Sequence, residues 1–136
     1  MEGLIWPVAV VLSLLATLHV AWGRGAAWPG RNVPDLAQKV VGGPRTDRMP
    51  SPVACYAVAA ALLSAAAILT LAAAPAVSSP VIRFMAFTAA GVFLLRGAAG
   101  YVLPRHPGQD FDRLNRWLYS PLCLALGGLS LLALMG

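Results

Sequence analysis

The sequence predicts an all-α fold: an integral membrane four-helix bundle with short loops, its basic loops on one side. Three observations predict it. The 136 residues are 59% hydrophobic and 11% charged, against about 45–50% and about 25% in ordinary soluble domains. Eight of the ten Lys and Arg residues fall in two short stretches, 24–48 and 105–116. Between and around those stretches run apolar segments long enough to cross a hydrocarbon core of about 30 Å, which is where charge is costly.

The whole chain, 1–136, reads as one domain with helices over about 4–22, 52–74, 80–103 and 117–136. The first segment, Leu4 to Trp22, is uncharged, and 19 residues at helical rise reach about 28 Å. It resembles a signal peptide in being apolar, but it has no basic start and ends in His19 and Trp22 rather than small residues. It is therefore expected to be a retained first membrane helix. The loop that follows is broken by Gly and Pro, with Asp35 to Val41 suited to one or two helical turns.

Ser51-Pro52 opens the second helix, a serine cap followed by proline in the first turn. Eleven alanines between Ala54 and Ala74 make it thin, which lets neighbouring backbones approach closely in lipid. Ser79-Pro80 repeats the start signal for the third helix after a short uncharged turn, and Ser120-Pro121 repeats it again. A helix starting at Pro121 has only 16 residues and reaches about 24 Å, short of a full span. Either it begins near Trp117 with a proline kink, or the bilayer thins around it. Before it, DFDRLNRW (110–117) reads as an amphipathic turn at the interface.

Orientation follows from the charges. Arg24, Arg31, Lys39, Arg45 and Arg48 follow the first helix; Arg105, Arg113 and Arg116 follow the third; the opposite side has only Arg83. The positive-inside rule then puts both basic loops in the cytoplasm and both termini outside, in a multi-pass cell-membrane protein. The net charge of +5 belongs to this layout and not to a nucleic-acid face, because the rest of the chain is lipid-like. Cys55 and Cys123 form no CxxC, and neither they nor His19 and His106 have the neighbours of a metal motif, so no metal and no cofactor is expected.

Arg96 is the one charge well inside a span, eight residues before Pro104 and so about 12 Å below the loop end. An arginine there costs about 2.5–3.5 kcal/mol, and each Leu, Ile, Phe or Val contributes about 0.3–0.6 in return. The helix inserts without a partner for Arg96, so the side chain reads equally as a snorkelling residue or as a ligand-facing one. His19, near the same face and three residues from Trp22, suits titration or hydrogen bonding; its plain reading is an interfacial histidine bonded to backbone or water. Trp22, Trp28, Tyr101, Trp117 and Tyr119 form an aromatic belt at that face. The two cysteines lie at similar depth, and packed thiols are ordinarily small hydrophobes. No Asp or Glu lies within the last three spans, so the carboxylate that couples many transporters to protons is missing.

Three strings, HVAWGRGAAWPG (19–30), LRGAAGY (95–101) and LNRWLYSPLCLALG (114–127), in that order and spacing resemble the small bacterial four-helix membrane proteins grouped as the domain of unknown function 3995 family. The resemblance covers nearly the whole chain and implies an integral membrane protein without supplying an activity. Its signature residues here would include His19, Trp22, Trp28, Arg96, Tyr101, Asn115, Arg116, Tyr119, Ser120 and Pro121, all toward the basic loops. The expected role is a binding or assembly module. Arg96, Arg116 and Asn115 would hold an anionic lipid headgroup or a partner protein, His19 and Tyr119 would hydrogen-bond, and Trp22 and Trp28 would pack at the interface beside Tyr101. The expected partners are membrane lipids, a second copy or another membrane protein, and no nucleic acid. Two alternatives stay open: a membrane-embedded enzyme acting on a lipid or quinone-like substrate, with His19 as acid or base, and a small transporter.

Overall fold

The computed structural model describes residues 2–104 and 106–136, the Glu2 side chain excepted; Arg105, counted above in the second basic loop, lies outside the described residues. It contains the helices α1 (Ile5–Gly23), α2 (Val33–Val40), α3 (Pro52–Ala73), α4 (Pro80–Val102) and α5 (Asp110–Met135). All but α2 are long and apolar enough to cross a membrane. The fold is a four-helix membrane bundle with a short fifth helix in its longest loop.

Serine caps start the two central helices as the dipeptides imply. Ser51 Oγ accepts from the Ala54 N–H and Ser79 Oγ from the Ile82 N–H, both at 3.2 Å, with proline opening each first turn. In the long loop Asn32 does the same for α2, accepting from the Asp35 N–H at 2.9 Å. Ser120 does not. The fourth span starts ten residues earlier than Ser120, at Asp110, and runs through Ser120-Pro121 by way of a π turn at Asn115–Tyr119. The short-helix problem thus disappears, because the amphipathic DFDRLNRW turn is the first part of the span itself, and Asp110 and Asp112 lie in a span expected to hold no carboxylate.

α1 packs along α3, and α4 along α5; the two pairs meet more sparingly through α3 and α4. Small residues set the α4–α5 contact. A Cβ on Gly97 would lie 2.6 Å from Leu124 Cγ, and one on Gly127 would lie 2.7 Å from Leu94 Cγ, so each glycine receives the other helix's leucine. The buried apolar core, built on Ile5, Val8, Leu12, Leu69, Ala86 and Leu134, sits toward the end of the bundle away from the basic loops. At that end Arg83 Nη2 donates to the Leu134 carbonyl at 2.9 Å, capping the last turn of α5. At the basic-loop end the buried residues on the spanning helices are small or polar, Ala16, Cys55, Ala59, Asn115 and Ser120, and the large apolar group buried there is Leu36 of α2.

Candidate functional site

The site begins with a backbone irregularity. Pro121 has no N–H, and its ring crowds the carbonyl four residues back, so a regular α-helix is strained there. The chain widens instead, and the Ser120 N–H bonds the Asn115 carbonyl five residues earlier. That leaves the Arg116 carbonyl without a backbone donor, since the next N–H in the widened pattern would be that of Pro121. The Tyr101 hydroxyl of α4 donates to it at 3.0 Å. The π turn also brings two side chains together. Residues five apart on an α-helix point about 140° away from one another, yet here Ser120 Oγ donates to Asn115 Oδ1 at 3.4 Å.

Asn115 is thereby aimed at α4. Its Nδ2 donates to the Gly100 carbonyl at 3.3 Å, and its Oδ1 accepts from Arg96 Nη2 at 2.8 Å. Gly100 permits this, since a Cβ there would overlap Ser120 Oγ and lie 2.7 Å from Asn115 Nδ2. Asn115 and Ser120 are both buried. Among the described residues no carboxylate lies within ion-pair distance of Arg96. Its guanidinium has five N–H donors, and the one bond to Asn115 leaves others for the cavity that it lines.

That cavity measures about 250 Å³. Arg96, Gly100 and Asn115 form its deep wall, Gly42 and Gly43 of the long loop close it, and His106, Gln109 and Asp112 add polar groups from the second loop and the start of α5. Asp112 is one helical turn nearer the loop than Asn115, so the cavity has a cationic deep end and an anionic group toward its mouth.

The long loop is held over this end by its own contacts. The Tyr119 hydroxyl donates to the Lys39 carbonyl at 2.9 Å, its ring tilts against Phe111, and Lys39 Nζ lies 2.9 Å from Asp35 and 3.7 Å from Asp110. Asp35 also accepts from the Arg31 backbone N–H at 2.8 Å. That bond first, and the Lys39 ammonium second, pull its pKa down to about 2.

The residues singled out from sequence therefore fall into separate groups. Arg96 and Asn115 meet in the cavity, Tyr101 and Arg116 meet at the π turn, and Tyr119 fastens α2. The Arg116 side chain itself is exposed. His19, Trp22 and Trp28 belong to α1 and the loop after it. There the His19 Nδ1–H donates to the Leu15 carbonyl at 2.7 Å, the rings of His19 and Trp22 stand 4.8 Å apart, and Trp22 Nε1 donates to the Trp28 carbonyl at 2.8 Å. None of these three lines the Arg96 cavity. Both cysteines are free.

A family model for proteins of unknown function, DUF3995, matches residues 12–130. The chain belongs to the DUF3995 family. No curated protein and no solved structure matches it. The part of this DUF3995 protein that matches holds the complete cavity wall, from Gly42 to Asn115, together with the π turn.

Gly42, Gly43, Gln109 and Asp112 carry no mark in the sequence, and Ser120-Pro121 carries the mark of a helix start although the helix runs through it. For Ser120 the missing signal was available: a Ser-Pro start that leaves too short a span, preceded by an uninterrupted helical pattern from Asp110, marks a helix passing through proline. For Gly42 and Gly43 no local signal exists, because their role depends on which helix lies opposite.

Proposed function

We propose that this protein is a membrane-embedded lipid-binding module that holds the phosphate of a lipid headgroup on Arg96. The observation that carries this reading is a guanidinium set about 9 Å inside the end of α4, bonded to a neutral amide and opening on a cavity of about 250 Å³. An ionised side chain at such depth ordinarily pairs with another charge or serves a ligand, and Arg matches phosphate oxygens with two parallel donors. Asn115 holds the guanidinium in place, and Asp112, Gln109 and His106 suit the hydroxyl or amine portion of a headgroup beyond its phosphate. The basic loops add attraction for anionic lipid and, by the positive-inside rule, place this end in the cytoplasm.

The test is native mass spectrometry of the purified protein in mild detergent with added dioleoylphosphatidylglycerol. Wild type is expected to retain the lipid. Arg96→Gln is expected to weaken retention by about tenfold or more, the loss of one charge-assisted contact. Equal retention by the two proteins would remove the basis of the proposal. A reporter fused after residue 136 is expected on the side away from the cytoplasm.

A further inference from the structure

The two helix pairs leave a second, larger space between α3 and α4. It holds about 550 Å³ and is lined almost wholly by apolar side chains, with Ala61 and Ala65 on one wall and Phe84 and Phe93 on the other. Of its two polar residues, Ser64 and Thr88, the threonine donates its hydroxyl to the Phe84 carbonyl at 2.9 Å and so keeps it off the surface of the cleft.

The cleft and the Arg96 cavity share no lining residue, but their α4 residues fall on one stripe of that helix. Met85, Ala89 and Val92 line the cleft, and Arg96, Ala99 and Leu103 line the cavity. The steps between them alternate four and three residues, a straight stripe on a helix. Met85 and Arg96, eleven residues apart, are out of line by only about 20°. The stripe changes from apolar to cationic between Val92 and Arg96, one turn or ~6 Å apart, and the apolar part below Arg96 extends for ~16 Å.

Resting on the lipid-binding reading above, we infer that one acyl chain of the same phospholipid lies in the α3–α4 cleft, its phosphate on Arg96. Charge and shape agree on this occupant. An anionic amphiphile has a charged end continuous with an apolar chain, and the α4 stripe offers a cation one turn beyond an apolar trough. The alanines on α3 and α4 give the cleft its width, and the sparse α3–α4 contact leaves it open.

The experiment compares two probes with the same headgroup, dioleoyl- and dihexanoylphosphatidylglycerol, on wild type, Arg96→Gln and the cleft-filling Ala65→Leu/Ala89→Leu, by native mass spectrometry. Wild type is expected to prefer the long-chain probe by about tenfold or more. The cleft-filling variant is expected to lose that preference while holding the short-chain probe as wild type does. Arg96→Gln is expected to weaken both. If the cleft-filled protein keeps its preference while Arg96→Gln still weakens both probes, the acyl-chain inference falls and the headgroup reading stands. If Arg96→Gln changes neither, both fall. A wild-type dimer that the cleft-filling variant converts to monomer would put a second copy in the cleft and overturn the inference. Should the double variant lose its helical circular dichroism, Ala61→Leu, which narrows the same cleft by one side chain, decides by the same comparison.

Discussion

Arg83 and Arg96 stand on the same membrane helix, and the two ends of the bundle treat them differently. Arg83 donates to the terminal carbonyl of a neighbouring helix and stands 5.7 Å from the Phe87 ring. Its end of the bundle is packed with Ile5, Leu69 and Leu134. Arg96 bonds a side-chain amide and faces a cavity that it lines together with Gly42, Gly43, Ala99, Gly100 and Asn115. Between the spanning helices, burial of large apolar groups fastens one end. A polar network that only close backbone approach can assemble shapes the other. An arginine that completes a helix terminus has its work described by its contacts, whereas Arg96, bonded among the described residues to one neutral amide, has donors left over.

The largest expected effect comes from filling the close approach at the cavity end. Gly100→Val would drive a branched side chain into Ser120 and Asn115. Overpacking at about 1–3 kcal/mol and a broken buried hydrogen-bond set at about 1–3 more suggest a loss of about 3 kcal/mol or greater. Gly91→Ala on the same helix meets nothing within 4 Å and is expected to leave stability unchanged. Thermal unfolding in detergent measures both. Similar melting points for the two variants would mean that the Asn115 network does not hold the helices together.

The arginines themselves give the next test. Arg83→Leu removes the cap on the end of α5 and is expected to cost about 1–2 kcal/mol. Arg96→Leu loses the bond to Asn115 but also removes a charge that costs about 2.5–3.5 kcal/mol near a helix centre, so stability should stay within about 1 kcal/mol of wild type or rise. If Arg96→Leu proves the more damaging, Arg96 is a structural residue like Arg83 and the contrast between the ends collapses.

How far each end was legible follows from the same contrast. Clustered charge marked the loops, and Ser51-Pro52 and Ser79-Pro80 marked two helix starts, because those signals act within one or two turns of chain. Arg96 stood out as a lone charge in an apolar run. The cavity did not. It needs the α4–α5 register, which Gly97 and Gly127 set across two helices, and it needs Gly42–Gly43 to return over it from a loop more than fifty residues before Arg96 in the chain. His19 and Trp22 share a helix side in sequence and in space, but which neighbour α1 packs against decides whether they face Arg96, and α1 lies along α3.

The π turn allows a sharper test of smaller size. Tyr101→Phe removes the donor to the Arg116 carbonyl and is expected to cost about 1 kcal/mol. Pro121→Ala restores an N–H in the helix, so the carbonyl regains a backbone donor and the tyrosine hydroxyl becomes redundant. In the Pro121→Ala background Tyr101→Phe is then expected to cost close to nothing, a coupling that a double-mutant cycle reads directly. Additive effects would show that the hydroxyl and the proline do not act on the same carbonyl.

The smallest effect is confined to the cover over the cavity and turns on pH. Asp35 holds the start of α2 through the Arg31 N–H and its other end through Lys39. Its carboxyl is lowered from an ordinary 3.8 to about 2 in the folded protein. Because the folded value is the lower one, the charged form favours the folded loop. The stabilisation is complete above pH 4 and is lost as pH falls through about 2. Hydrogen exchange of the α2 amides, corrected for the intrinsic pH dependence, should therefore quicken over that range while exchange in the core around Leu69 and Leu134 does not. Asp35→Asn should exchange quickly in α2 at neutral pH and show no further acid step. Acid loosening of both ends together would mean that the cover is not an independent element, and that the cavity opens only when the whole bundle does.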